Sequence, residues 1–238
     1  MPTIDGGGPS GPGSPSYPAT ATGEIIGLAA LQLQDITGKT WDLNTVLIPY
    51  LNLAILEIIN LKPEAYPVSK SISLNPGPIQ SIPSSDLALI DAKYNLTGSA
   101  SPYAPGKAIR HIFKTQMDYL LPDWRTASPD DTVLFVITDN RDPKVFGVYP
   151  PQPTSPSPSN NIYILVSTPP TELDDIDSTF PLDDSYKVPA MKLVVSHALA
   201  EETTVPNALG KSVQFKQDAL QDLGIKTTAE QKSDAKGK

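Results

Sequence analysis

Imidazole chemistry in this chain can come only from His111 and His197. Neither is expected to have a second histidine or an acidic partner at i+3 or i+4 in a metal-ligand pattern. His111 falls in an alternating, strand-like run and His197 on an apolar helical face, so both read as structural. The chain has no cysteine, which removes thiolate nucleophiles, thiolate metal ligands and disulfides. A Ser–His–Asp set has no G-x-S-x-G elbow to sit on. The glycines of GGGPSGPG neither follow a strand nor open a helix, and no complete Walker pattern supplies a phosphate-binding lysine. The best metal candidate is the acidic run holding Asp174, Asp175, Asp177, Asp183 and Asp184, since Ca²⁺ takes such oxygens. Its spacing does not match an EF-hand loop, and it lacks that loop's glycine and closing glutamate. It reads as a solvated connector with helix-capping aspartates. Asn95-Leu96-Thr97 matches the glycosylation acceptor pattern, which has meaning only in a secreted chain. The expectation is therefore no catalytic residue, no cofactor and no metal.

The composition narrows the partners. A formal net charge of -8 argues against non-specific nucleic-acid binding, which needs a basic patch to displace counterions. Basic residues are not interleaved with aromatics, so an RNA-stacking surface is not expected. The 26 prolines cluster in the first two dozen residues, in 63–105 and in 150–158, which predicts long irregular connections. The N-terminus has no basic and then apolar run, so it is no signal peptide. With the lack of cysteine this suits a reducing cytoplasm.

Four segments carry helical apolar spacing. Residues 23–36 place Ile25, Leu28, Ala29, Leu33 and Ile36 on one face, with Gly38 as the expected residue just past the end. Residues 42–61 are the most apolar; Asp42 can cap them, and Pro49 would kink the helix. A membrane span is set aside because Asn44, Asn52, Glu57 and Asn60 interrupt the segment and no basic flank anchors it. Residues 185–202 carry a stripe of Tyr186, Ala190, Leu193, Val194 and His197. Residues 206–223 align Leu209, Val213, Leu220 and Leu223, with Gly224 closing the end.

Between the helix pairs lie β-type runs. Residues 68–74 and 78–83 flank an Asn-Pro-Gly-Pro turn and predict a short hairpin. Residues 87–95 read as extended. Residues 107–125 begin as a strand over 108–113 and turn into a short helix broken by Pro122, with Trp124 as a packing anchor. Residues 133–138, 141–150 and 162–167 predict a small antiparallel unit, with the turn at 139–142. The fold class expected is α+β: a helical bundle of about four helices with one inserted antiparallel β-sheet unit. The organisation expected is a flexible Gly/Pro-rich arm (1–22), the bundle (23–66 and 183–224), a β-rich insertion (67–182) and a lysine-rich tail (225–238).

The order of several motifs resembles the tailed-phage head–tail adaptor proteins, also called head completion or head–tail connector proteins, of the podophage tubular-adaptor type. The stretches are LQLQDITGKTWDLNTVLIPYLNLAILEIINLKPEAY, AIRHIF with MDYLLPDW, RDPKVFGVYPPQP running into IYILVSTPP, and PLDDSYKVPAMKLVVSHALAEE followed by a helix with Asn207 and Phe215. Together they span about residues 23–223. Pro49 departs from the helical residue expected there. The resemblance implies a structural virion protein that is not an enzyme. It would form a ring with itself, matching a twelve-fold portal, and join the portal protein above to a tail tube or nozzle protein below. DNA would pass through the lumen without specific binding, an acidic wall letting it slide. The tail is the expected portal-docking segment, with Ile225, Lys226, Lys232, Lys236 and Lys238. It would be assembled in the host cytoplasm, with no membrane.

Two other classes remain open at this point. A virion module could recognise a host glycan, or another tail protein, through the β unit, using Tyr149, Tyr163 and Trp124 as stacking surfaces. A hydrolase or metal-dependent enzyme would have to combine His111 or His197 with the acidic run.

Overall fold

The computed structural model describes residues 20–97, 104–139, 141–155, 160–202 and 206–225. The chain divides into two compact units, one of Met1–Ala54 with Glu172–Lys238 and one of Ile55–Thr171.

The first unit is helical. Helix α1, Ala21–Gln32, starts at Thr20, whose hydroxyl oxygen accepts the Gly23 N–H at 3.0 Å. It ends one turn earlier than the sequence predicts. Gln34, at φ 58°, takes the left-handed position, and the Asp35 N–H closes back on the Ala30 carbonyl at 3.0 Å. Gly38, also left-handed at φ 63°, serves the next loop instead. That loop wraps around Asp35. Its carboxylate accepts the backbone N–H groups of Lys39, Thr40 and Trp41 at 3.0, 2.7 and 2.8 Å.

Asp42 caps the next helix through Asn44 and Thr45. A single π-helical turn, Leu43–Leu47, leads into α2, Ile48–Leu61. The widened turn lies just before Pro49, where an ordinary α-turn would press the ring against a carbonyl. Leu43–Leu61 is long and apolar enough, by length and composition alone, to cross a membrane. Its polar residues have defined partners: the Asn52 amide accepts the Leu173 N–H at 2.9 Å and donates to the Leu173 carbonyl at 3.0 Å. Asn44 accepts the Ile176 N–H at 3.2 Å. The acidic connector is thus strapped down, with Leu173, Phe180 and Leu182 buried and its aspartates turned outward.

The second unit takes up the last part of α2, from Ile55, and is otherwise built of β-strands and one short α-helix. Strands β1 (Pro67–Ser73), β2 (Gly77–Ser81), β3 (Ala88–Thr97), β4 (Ala104–Ala108), β5 (Arg110–Phe113), β6 (Phe135–Asp139), β7 (Asp142–Gln152) and β8 (Asn161–Ser167) form two four-stranded sheets. Their orders are β1-β8-β3-β4 and β2-β7-β6-β5. Helix α3, Lys114–Leu120, joins β5 to β6, which pair in parallel. The Tyr149–Pro150 peptide is cis. The core lies between the sheets: Ala92, Ile162, Ile164 and Val166 come from the first and Val136, Phe146 and Val148 from the second. Two further helices of the first unit, α4 (Lys187–Glu201) and α5 (Ala208–Asp222), complete the chain.

The expected architecture of about four helices around one inserted antiparallel sheet is therefore wrong. Among the described residues there are five α-helices and two sheets, one of them mixed. The error has a physical source. Nearness in sequence predicts pairing between neighbouring strands, yet β1 and β2 do not form a hairpin. β1 pairs with β8 and β2 with β7, so both connections cross between sheets side by side. β8 likewise leaves β7 to sit between β1 and β3. Polar side chains make this crossing possible. The Gln80 amide accepts the Asn75 N–H at 2.8 Å and donates to the carbonyls of Asn75 and Gly77 at 2.7 and 3.1 Å. Of the arm and tail expected at the ends, residues 1–19 and 226–238 lie outside the described residues.

Candidate interaction surfaces

The sequence-derived candidates do not converge. His111 is exposed on β5, its Nε2 2.9 Å from the Thr138 hydroxyl and its ring edge-on to Phe113 at 5.6 Å. Its ring is held by the Thr138 hydroxyl and, among the described residues, no hydrogen bond joins it to a carboxylate. His197 lies on α4 and stacks on Tyr50 of α2 at 6.1 Å. The Tyr50 hydroxyl donates to Glu201 Oε2 at 2.7 Å. Glu201 stands four residues after His197, so the expectation of no acidic residue at i+3 or i+4 from either histidine is wrong at this position. Burial, the bond to Glu201 and that residue's charge push the Tyr50 hydroxyl up to about 12, away from acid–base work near neutral pH. These three side chains fasten α2 to α4. Among the described residues, no three His, Asp or Glu side chains are grouped to hold a metal ion. The connector's aspartates serve the backbone instead: Asp183 accepts the Ser185 N–H at 3.0 Å, and Asp175 accepts that of Asp177 at 3.0 Å.

The aromatic candidates differ in accessibility. Trp124 is 1% exposed, packed with Met117 and Ile137 and covered by Arg125 at 4.3 Å. Its indole N–H donates to Asp118 at 2.8 Å. Hydrogen bonding from Trp124, followed by the Arg125 and Lys114 charges, holds the Asp118 carboxyl below its ordinary range against the opposing effect of burial. Gly147 of β7 makes room for this ring, since a Cβ there would lie 2.6 Å from Trp124 Cη2. Tyr149 is half-buried and tilted against Phe135 at 6.2 Å. Tyr163 stacks face to face on Tyr94 at 5.0 Å. Asn95 of the glycosylation pattern is buried, with its amide fully engaged. It donates to the Lys107 and Val133 carbonyls at 2.9 and 2.8 Å and accepts the Val133 N–H at 2.8 Å. Of the tail residues, only Ile225 is described; its N–H closes α5 on the Leu220 carbonyl at 2.9 Å, with Gly224 left-handed at φ 70°. Lys226, Lys232, Lys236 and Lys238 lie outside the described residues.

What the fold does present is apolar surface. In the second unit, Tyr119 and Leu120 of α3 are 86% and 63% exposed, with Leu121 and Phe113 also open to solvent. Ile112, Thr115, Gln116, Tyr119 and Leu120 line an open hollow of about 650 Å³ beside β5, an edge strand of its sheet. In the first unit, α5 is turned from its expected register. Its buried residues are Ala208, Ser212 and Ala219, with Leu223 just past its end, while Leu209 and Val213 face solvent. The small side chains let α5 approach α4 closely. There the Ser196 hydroxyl donates to the Ser212 carbonyl at 2.9 Å and the Ser212 hydroxyl to the Ser196 carbonyl at 2.8 Å.

No protein-family model matches the chain, and no curated protein matches it.

Proposed function

We propose that the chain is a structural virion protein, a head–tail adaptor that assembles as a ring between the portal and the tail. The observation that carries the reading is the ordered run of motifs from LQDITGKTW to the α4–α5 region. Parts of those motifs have structural roles that are not catalytic. Asp35 and Gly38 shape the loop after α1, and MDYLLPDW forms α3 with the Trp124 anchor. Exposed apolar side chains on α3 and α5 support a protein whose working surfaces meet other proteins. The partners are the portal protein, a tail tube or nozzle protein and further copies of the chain, with the segment 225–238 docking on the portal. DNA crosses the lumen without specific contacts, consistent with the net charge of -8.

The test is to incubate purified protein with the portal ring of the phage that encodes it and separate complexes by sedimentation. The reading expects co-sedimentation at a fixed ratio of copies per ring. Portal rings that stay bare under conditions where authentic tails attach would overturn it. Deleting 226–238 should abolish attachment; full binding by the truncated chain would remove the docking role of the tail.

A further inference from the structure

We propose that residues 1–5, MPTID, add to the free edge of β5 as a further antiparallel strand, with Ile4 in the hollow beside α3. This goes beyond the adaptor reading and does not depend on it.

The edge of β5 calls for a strand and not only for apolar cover. β5 stands at the end of its sheet and pairs with β6 alone among the described strands. The Arg110 N–H donates to the Leu134 carbonyl at 3.0 Å, and Arg110 and Ile112 stand opposite Phe135 and Ile137 of β6. Backbone groups alternate sides along a strand. Arg110 and Ile112 therefore turn theirs to β6, while His111 turns its N–H and carbonyl to the open edge and Phe113 its N–H. The Phe113 carbonyl, at the N-cap of α3, serves the helix. Side chains alternate as well. Ile112 borders the hollow it shares with Thr115, Gln116, Tyr119 and Leu120. His111 and Phe113 border another, of about 300 Å³, on the opposite face of β5. An unpaired edge with a hollow on each face fits an extended segment that sends successive side chains to alternate sides.

The chain itself holds a segment of that kind outside the described residues. Residues 98–103, 140, 156–159 and 203–205 are short and tied at both ends, and 226–238 contain no hydrophobic residue larger than alanine. Residues 1–5 contain Met1, Ile4 and the β-branched Thr3. Residues 6–19, GGGPSGPGSPSYPA, join them to Thr20 with five glycines and four prolines. A linker of that length and composition spans about 20 Å as a coil and up to about 45 Å extended.

Proline fixes the register. Pro2 has no N–H and must fall where none is needed. With Ile4 opposite Ile112, Asp5 falls opposite His111 and exchanges both backbone bonds with it, and the Thr3 carbonyl accepts the Phe113 N–H. The N–H positions of residues 2, 4 and 6 then point away from β5. Ile4 projects to the side of Ile112, Tyr119 and Leu120, whose exposed apolar surface it covers.

The absence of cysteine makes the test direct. In the full chain, Ile4→Cys with Leu120→Cys should form a disulfide under mild oxidation about tenfold faster than Ile4→Cys with Ile79→Cys. Ile79 is also exposed and lies on β2, the other edge of the same sheet, so it reports undirected collision. Proline substitutions read the pairing itself. Asp5→Pro removes an N–H that bonds to β5 and should bring the rate down to that of the Ile79 pair. Gly6→Pro removes an outward N–H and should change the rate by less than about twofold. Asp5→Ala keeps the N–H and should cost less than about threefold, which separates the bond from the charge. Positions 5 and 6 precede the first described element, so these variants leave the folded units intact. A link within one chain or between two chains supports the added strand equally. Equal rates to the two edges, or equal losses from Asp5→Pro and Gly6→Pro, overturn it.

Discussion

Asn95→Ala should weaken the β unit more than any surface change of equal size. Asn95 joins β3 to Val133, just ahead of β6, through two hydrogen bonds of 2.8 Å, and to the Lys107 carbonyl through a third of 2.9 Å; Val133 is 0% exposed. Truncation leaves the Val133 N–H and carbonyl without their partner where water does not reach. Each such group costs about 1–3 kcal/mol, so a loss of about 2–4 kcal/mol is expected once partial relaxation is allowed. With a urea dependence of about 2 kcal/mol per molar, the unfolding midpoint should fall by about 1–2 M. The two tryptophans lie in different units, Trp41 in the first and Trp124 in the second. Fluorescence in a Trp41→Phe background therefore reports the β unit alone. Asn95→Asp sharpens the test. It keeps the acceptor for the Val133 N–H but turns an oxygen toward two carbonyls, which raises the folded-state pKa of the new acid. That variant should lose stability as pH rises from about 4 through the raised folded value and level off above it. A midpoint shift under about 0.3 M for Asn95→Ala would refute the assigned role.

Other perturbations test the remaining packing claims. Gly147→Ala brings a methyl to 2.6 Å from the Trp124 ring; it should cost about 1–3 kcal/mol and red-shift the Trp124 emission. Ser212→Leu wedges α5 from α4 where the reciprocal serine bonds sit. It should cost about 2 kcal/mol or more and lower the helical unit's melting temperature in calorimetry, while Ser212→Ala should cost about 1 kcal/mol. Burial raises the Asp35 carboxyl, and the N–H groups of Trp41, Thr40 and Lys39 with the Lys39 charge outweigh it, for a net lowering. Its contribution is present above the unfolded value of 3.8 and lost as pH falls through the lower folded value. Trp41 emission should change in that window and lose the change in Asp35→Asn.

The sequence by itself located most of the elements. Asp42 as a cap, the apolar run of α2, the short helix after β5 and the left-handed Gly224 follow from local rules, because capping, periodicity and turn chemistry act over a few residues. The lack of a nucleophile elbow or a thiol is likewise readable without coordinates. Tertiary structure decided what each element faces and pairs with. Strand pairing is set by register and by which apolar faces can close over one core, and neighbours in sequence have no prior right to each other. So β1 went to β8 and β2 to β7, and a single expected sheet became two. The stripe on α5 was misplaced for a related reason. Periodicity finds large apolar residues and assigns them inward, whereas here small residues allow the close approach to α4 and the large ones, Leu209 and Val213, are left at the surface. Gly147, in the stretch RDPKVFGVYP, shows the same limit. Its spacing says only that a strand contains a glycine, and the Trp124 ring lying against it supplies the reason.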